Sequence, residues 1–258
     1  MTFLARLREL LAALENQDAA LSAAADAMAD ALAADRLVHL FGSGHSVIPV
    51  MEAFPRYGSY AGFHPLLDPR LMWWNVLGPG GVREFHWLEQ AEGYVDNFLN
   101  HRPIGAGDVM LVFSHGGRNA APVEAAAHGR RRQATVVAIT SSHNLDRPAT
   151  HSSGQRLAEL ADIVIDTGVP AADALVDIAG WDYPVAGGST IVACACTNEL
   201  IARTASRLAE RGVKLPTFVS PTANGAAEDH NDRVFAAHRD RVLRAELRTT
   251  PANQLDPH

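Results

Sequence analysis

The sequence predicts an α/β fold in which a parallel sheet carries helices on both faces. Four short runs of buried-type residues recur at 37–41, 109–113, 135–139 and 162–166. Helical, Ala-rich stretches alternate with them, and each run closes in Gly, Ser or Thr. Strands covered on both faces read as continuous apolar runs, and strand–helix alternation is the pattern of a parallel sheet.

Taken in order, residues 2–34 read as a helical hairpin. Leu4, Leu7, Leu11 and Leu14 recur at helical spacing, Asn16-Gln17-Asp18 interrupts, and an Ala-rich stretch runs to Ala34. Residues 1–34 are assigned to this hairpin, packed on the core, 35–248 to one domain and 249–258 to a flexible tail. The first apolar run ends in Gly42-Ser43-Gly44-His45-Ser46, with a helix expected through Tyr57. The second ends in Ser114-His115-Gly116-Gly117-Arg118-Asn119, before an Ala-rich helix to about Arg131. The third ends in Thr140-Ser141-Ser142, and an irregular segment from His143 to Gln155 is long enough to be functional. The fourth ends in Thr167-Gly168. Helices are expected from Ser189 to about Ala209 and from Asn231 to Arg248.

Composition narrows the function. A net charge of -7, with Arg130-Arg131-Arg132 as the one dense basic run, argues against a nucleic-acid partner, and that run reads as a solvated helix end. Cys194 and Cys196, two residues apart on an expected helix, point away from each other and fit small core residues in a reducing cytoplasm. Arg6, Arg8, Glu9 and Glu15 are wrong for a signal peptide, and no run of about 18 apolar residues is present to span a membrane. No His-x-x-x-His or Cys-x-x-Cys spacing supports a metal site, and nothing calls for a cofactor.

In an open parallel sheet, ligands bind beyond the carboxyl ends of the strands. Three successive strand ends here carry glycine and hydroxyl residues. Glycine lets the backbone approach an anion, and a helix starting just after it aims free N–H groups at the same point. Any one such loop is indistinguishable from an N-capped helix start. Three on one sheet edge predict a shared phosphate site from Ser43, Gly44, His45, Ser46, Ser114, Gly116, Gly117, Asn119, Ser141 and Ser142.

These loops resemble the motifs of the SIS (sugar isomerase) family. Gly42-Ser43-Gly44-His45-Ser46 is similar to its Gly-x-Gly-x-Ser motif. The second loop is similar to Ser-x-Ser-Gly-x-Thr, with Gly116 in place of the second serine and Asn119 in place of the threonine. Gly188-Ser189-Thr190 resembles the Ser-Thr pair that opens a later helix beside the ligand. A closer resemblance, to the UPF0309-type SIS proteins, rests on residues 41–46, 89–94, 151–154, 161–173, Asn224-Gly225 and His230-Asn231. It implies a three-layer α/β/α sandwich around a five-stranded parallel sheet, with the fifth strand drawn from Ala61 to Trp87. It also implies a homodimer or homotetramer and a small-molecule sugar phosphate as partner. SIS regulators usually carry a helix-turn-helix domain ahead of this one, and only about 35 residues precede the first strand here.

Moving a proton between adjacent sugar carbons needs a carboxylate or imidazole base. Glu92 is the first candidate, because Glu92-Gly93-Tyr94-Val95-Asp96 resembles a segment of the etherases that cleave N-acetylmuramate 6-phosphate; a glutamate beginning a helix can also simply face its dipole. Glu89 is the weaker alternative. His115 and His45 lie inside phosphate loops, His151 lies in the irregular segment, and an imidazole titrates near neutrality. Glu52 and Arg56, one turn apart, read as a pair. Trp73-Trp74 reads as a core or interface pair more than as a sugar-stacking platform. The SIS heptose isomerases that use zinc draw on scattered histidines, so sequence spacing leaves a metal open. The expectation is a phosphosugar enzyme, first an aldose–ketose isomerase. A sugar-phosphate lyase or a non-catalytic sensor is the alternative.

Overall fold

The structure is a computed structural model, and it describes residues 2–72 and 81–249. Five strands form one parallel sheet in the order β2-β1-β3-β4-β5: β1 (Val38–Gly42), β2 (Phe63–Pro65), β3 (Val109–Phe113), β4 (Thr135–Thr140) and β5 (Ile163–Asp166). The central strands β1 and β3 are buried along their whole length, which accounts for their unbroken apolar sequence.

Helices cover both faces. On one face α2 (Asp18–Ala33), α3 (Val47–Ala53) and α8 (Ser189–Glu210) pack into a core with Leu21, Met28, Leu40, Leu111, Ile139 and Leu200. Helix α1 (Phe3–Glu15) joins this face through Leu10 and Leu14. On the other face α4 (Gly81–Gln90), α5 (Tyr94–Leu99), α6 (Ala120–Arg131) and the single turn α7 (Leu157–Leu160) pack over Phe41, Met110, Val112 and Val136. The C-terminal helix α9 (His230–Thr249) is tied to the turn after α2: Arg244 pairs with Asp35, and the Arg241 guanidinium donates to the Leu32 and Arg36 carbonyls.

Several expectations change. The first helix stops at Ala53, not Tyr57, where the chain turns through Phe54 and Pro55. Glu52 and Arg56 still pair, at 3.1 Å. A two-stranded antiparallel hairpin, β6 (Ala174–Val176) with β7 (Val185–Gly187), lies between β5 and α8 and was not anticipated. The basic run is more than a solvated helix end, since Arg131 pairs with Asp96 and Arg130 donates to the Leu160 carbonyl. Trp73, Trp74 and the tail beyond Thr249 lie outside the described residues.

Each flank of the open sheet is closed at one point. At β5 the Gln17 side chain imitates a strand, its amide donating to the Asp166 carbonyl at 2.6 Å and accepting from the Asp166 N–H at 2.9 Å. On the β2 side, residues 58–61 bond to 216–218 just ahead of the strand, with Tyr60 bridged antiparallel to Thr217.

Candidate functional site

The strand order reverses between β1 and β3. The chain leaves β1 into α3 on one face and leaves β3 toward α6 on the other, so the two strand-end loops splay apart and open a crevice. Gly42 makes the first turn possible, because a Cβ there would sit 2.1 Å from the Ser46 carbonyl oxygen. In the second, Gly117 adopts φ +60° against Thr140, and its N–H donates to the Ser114 hydroxyl at 3.0 Å.

On the α3 side of the crevice, Ser46, Ser114, His115, Thr167, Ser189 and Thr190 line one narrow cavity, whose volume of about 10 Å³ is roughly that of a single water. Two of its lining atoms are orphans. Thr167 is 3% exposed, and neither its hydroxyl nor His115 Nδ1 has a hydrogen-bond partner. Buried polar atoms are normally satisfied, and here two orphans belong to residues that line one cavity. Burial lowers the His115 pKa; the Asp173 carboxylate and the Ala171 and Pro170 carbonyls oppose that.

On the other side of the crevice sits Glu89, near the end of α4. Asn119, the N-cap of α6, donates to it from Nδ2 at 3.0 Å, and the Ser43 hydroxyl donates at 3.5 Å. Burial raises its pKa to about 7 despite these bonds. Asn119 Oδ1 in turn accepts from the Thr150 hydroxyl at 3.1 Å. The two loops that bring Ser46 and Ser114 to the cavity thus also bring Ser43 and Asn119 to one carboxylate.

The other candidates separate into groups. Glu92 precedes α5 rather than beginning it, and is exposed. It accepts from the Ser152 N–H at 2.6 Å and hydroxyl at 2.5 Å, which hold its pKa below the ordinary value. His151 Nε2 lies 3.9 Å from both Glu92 and the buried Glu124. Glu124 accepts from the N–H groups of Gly93, Val95 and Asp96, anchoring the start of α5. His45 is exposed on the single turn Gly44–Ser46. Gly116 sits beside the cavity residue His115.

The third loop does not join the site. Ser141 is 1% exposed, and its hydroxyl donates to the Val169 carbonyl and accepts from the His143 N–H. The Ser142 N–H and side chain turn to Asp166. Their place in the cavity is taken by Thr167, from the end of β5. Thr167 and Glu89 are the residues that sequence reasoning undervalued. A usable signal for Glu89 was its position in the stripe Phe85, Leu88, Glu89, whose two apolar members are buried.

Comparisons with known proteins agree with this architecture. A family profile described as SIS domain matches residues 2–141. The chain is 33% identical over 229 residues to a UPF0309 protein of Oceanobacillus iheyensis, covering 88% of this chain and 91% of that one. It is also 33% identical over 230 residues to a UPF0309 protein of Halalkalibacterium halodurans, covering 89% and 90%. Among solved structures, a phosphoheptose isomerase from Neisseria gonorrhoeae superposes with a TM-score of 0.52 at 16% identity, over 79% of this chain and 95% of that one. One from Francisella tularensis gives 0.50 at 15% identity, over 79% and 98%. No described helix is long and apolar enough to cross a membrane.

Proposed function

The chain belongs to the SIS domain family, and from that premise we propose that its crevice binds a phosphorylated sugar and moves a proton between two adjacent carbons, interconverting aldose and ketose. The phosphate end takes the cavity of Ser46, Ser114, Thr167, Ser189 and Thr190, which at about 10 Å³ has to open further to admit it. The hydroxyls supply hydrogen-bond donors, and Thr167 gains the partner it lacks.

Glu89 is the base. The observation that carries this reading is a half-buried carboxylate, its pKa raised by burial to about 7, held between Ser43 and Asn119 from the two loops that also line the cavity. Such a group is half ionised at neutral pH, and it can take a proton from one carbon and return it to the next. The isomerase function of the two superposed enzymes is consistent with this chemistry.

Elimination of a leaving group is the second reading. It is favoured by Glu92 and His151, which together offer a proton donor for a departing oxygen a few residues from Glu89. A homodimer fits the apolar edge beside the crevice, where Ile48 and Met51 on α3 and Ile191 on α8 are exposed.

The test is a thermal-shift screen with sugar phosphates at fixed protein concentration. A ligand at a hundred times its Kd adds about 2.7 kcal/mol. Solvent-deuterium exchange at carbon 2 of each hit is then followed by NMR. Exchange that survives Glu89→Gln removes Glu89 as the base, and binding without exchange or turnover makes the chain a sensor.

A further inference from the structure

The cavity is lined by five hydroxyl side chains, His115 and the apolar Pro49, Phe113, Ile139 and Ala193, with no lysine or arginine among them. Two helix N-termini reach the cavity, those of α3 at Ser46 and α8 at Ser189, and that of α8 is already engaged by an anion. Asp173 Oδ1 accepts from the Gly188 N–H at 3.1 Å and from the Ser189 N–H at 2.7 Å. Asp173 holds this position from a left-handed backbone, φ +65°, at the foot of the β6–β7 hairpin. A dianion entering beside Ser189 therefore approaches a fixed negative charge. It needs a positive charge in compensation.

His115 is the titratable group among the lining residues. It meets charged and polar neighbours from each segment packed against it: Asp173 from the turn before β6, Arg147 from the loop after β4, the Asn144 amide with Nδ2 3.5 Å from Nε2, and the Pro170 and Ala171 carbonyls. The side chains reaching it from α3 and α8 are uncharged, Ser46, Ser189 and Thr190. Burial, and to a smaller extent Arg147, lower the His115 pKa, against Asp173 and the two carbonyls. The imidazole Nδ1 is buried and makes no hydrogen bond of full geometry, with the Pro170 and Ala171 carbonyls near the ring.

We infer that anion capture in this cavity is coupled to uptake of one proton by His115, and that Asp173 is the positioning residue that supports the resulting imidazolium. The inference rests on the phosphate-cavity reading above. The balance is simple: a proton from solvent joins a ring nitrogen, and the cation lies between the bound dianion and the Asp173 carboxylate. His115 stands beside Gly116, where the related motif carries a serine, so a charged donor takes over from an absent hydroxyl. By linkage, affinity falls by up to tenfold for each pH unit between the pKa of His115 in the free chain and its higher pKa in the complex, and is level on either side of that window.

Sulfate is the probe, because it stays a dianion across the neutral range and any proton taken up belongs to the protein. Calorimetric titrations at one pH, in two buffers of different ionisation enthalpy, count the protons. The expected result is uptake approaching one proton per chain, abolished by His115→Gln and reduced by Asp173→Asn, with binding lost in Ser46→Ala/Ser114→Ala. The His115 imidazole carbon shifts of the wild-type chain, followed with and without sulfate, give the same answer without a variant. Sulfate binding with no proton uptake, or uptake that persists in His115→Gln, overturns the inference and leaves the cavity standing. Failure of both sulfate and inorganic phosphate to bind removes the cavity reading itself, and the inference with it.

Discussion

Glu89→Gln offers a test that needs no substrate. In the folded chain burial raises the Glu89 pKa from 4.5 to about 7. The folded state therefore keeps a proton that the unfolded chain releases from about pH 4.5 upward, and stability declines as pH rises from there toward 7. At about 1.4 kcal/mol for each pKa unit, the full cost above pH 8 is at most about 3 kcal/mol, and at pH 5 it is about 1 kcal/mol. Glutamine is isosteric, keeps an oxygen to accept from Asn119 Nδ2, and cannot ionise. The variant is expected to melt about 6 °C higher than wild type at pH 8 and about 2 °C higher at pH 5. Differential scanning calorimetry over that range is the assay. A variant no more stable than wild type at pH 8, or a difference that does not change with pH, would refute the claim that Glu89 is held in a protonated, base-ready state. If the proposed chemistry holds, the same variant loses roughly a hundred- to ten-thousandfold in carbon-2 exchange, so stability and activity move in opposite directions.

Three further predictions concern the frame around the crevice. The Ser46→Ala/Ser114→Ala pair is expected to fold normally and to lose the thermal shift given by a sugar phosphate; an unchanged shift places the phosphate elsewhere. Glu124→Gln cannot satisfy all three N–H groups that Glu124 now accepts from, and is expected to cost roughly 2–3 kcal/mol in urea unfolding, with faster amide exchange at residues 93–96. Gly117→Ala puts a methyl 2.8 Å from Thr140 Oγ1 on a left-handed backbone, and a loss of roughly 1–2 kcal/mol is expected by thermal melting.

The sheet was legible because its central strands are buried on both faces, and β1, β3, β4 and β5 are written as apolar runs within a residue or two of their bounds. Strand β2 spans only Phe63–Pro65 on an edge and has no run to read, so only the family resemblance pointed to it. The β6–β7 hairpin escaped because each strand is three residues long and is set among Pro, Ala and Gly. At the site, the first two glycine–hydroxyl loops converge as expected, since topology turns them to opposite faces. The loop after β4 looks the same in sequence, but the chain goes on from it to α7 on the face that α6 already covers, so no crevice opens there. Ser141 instead closes its own turn. Glu92 was favoured over Glu89 on segment likeness, and burial reverses the order: solvent surrounds Glu92, whereas α4 carries Glu89 into a half-buried position between two loops.

The amide of Gln17 has a consequence beyond local bonding. An open sheet ends in a strand whose unused peptide groups can recruit any extended chain that drifts by, which is how strand addition and fibril growth begin. By meeting both the donor and the acceptor of Asp166, one side chain from the N-terminal helices closes the carboxyl end of that sticky border. The hairpin of α1 and α2 thus serves as a selvedge as well as a cover: a chain that lost it would bare apolar surface and a ready template for self-association at the same time.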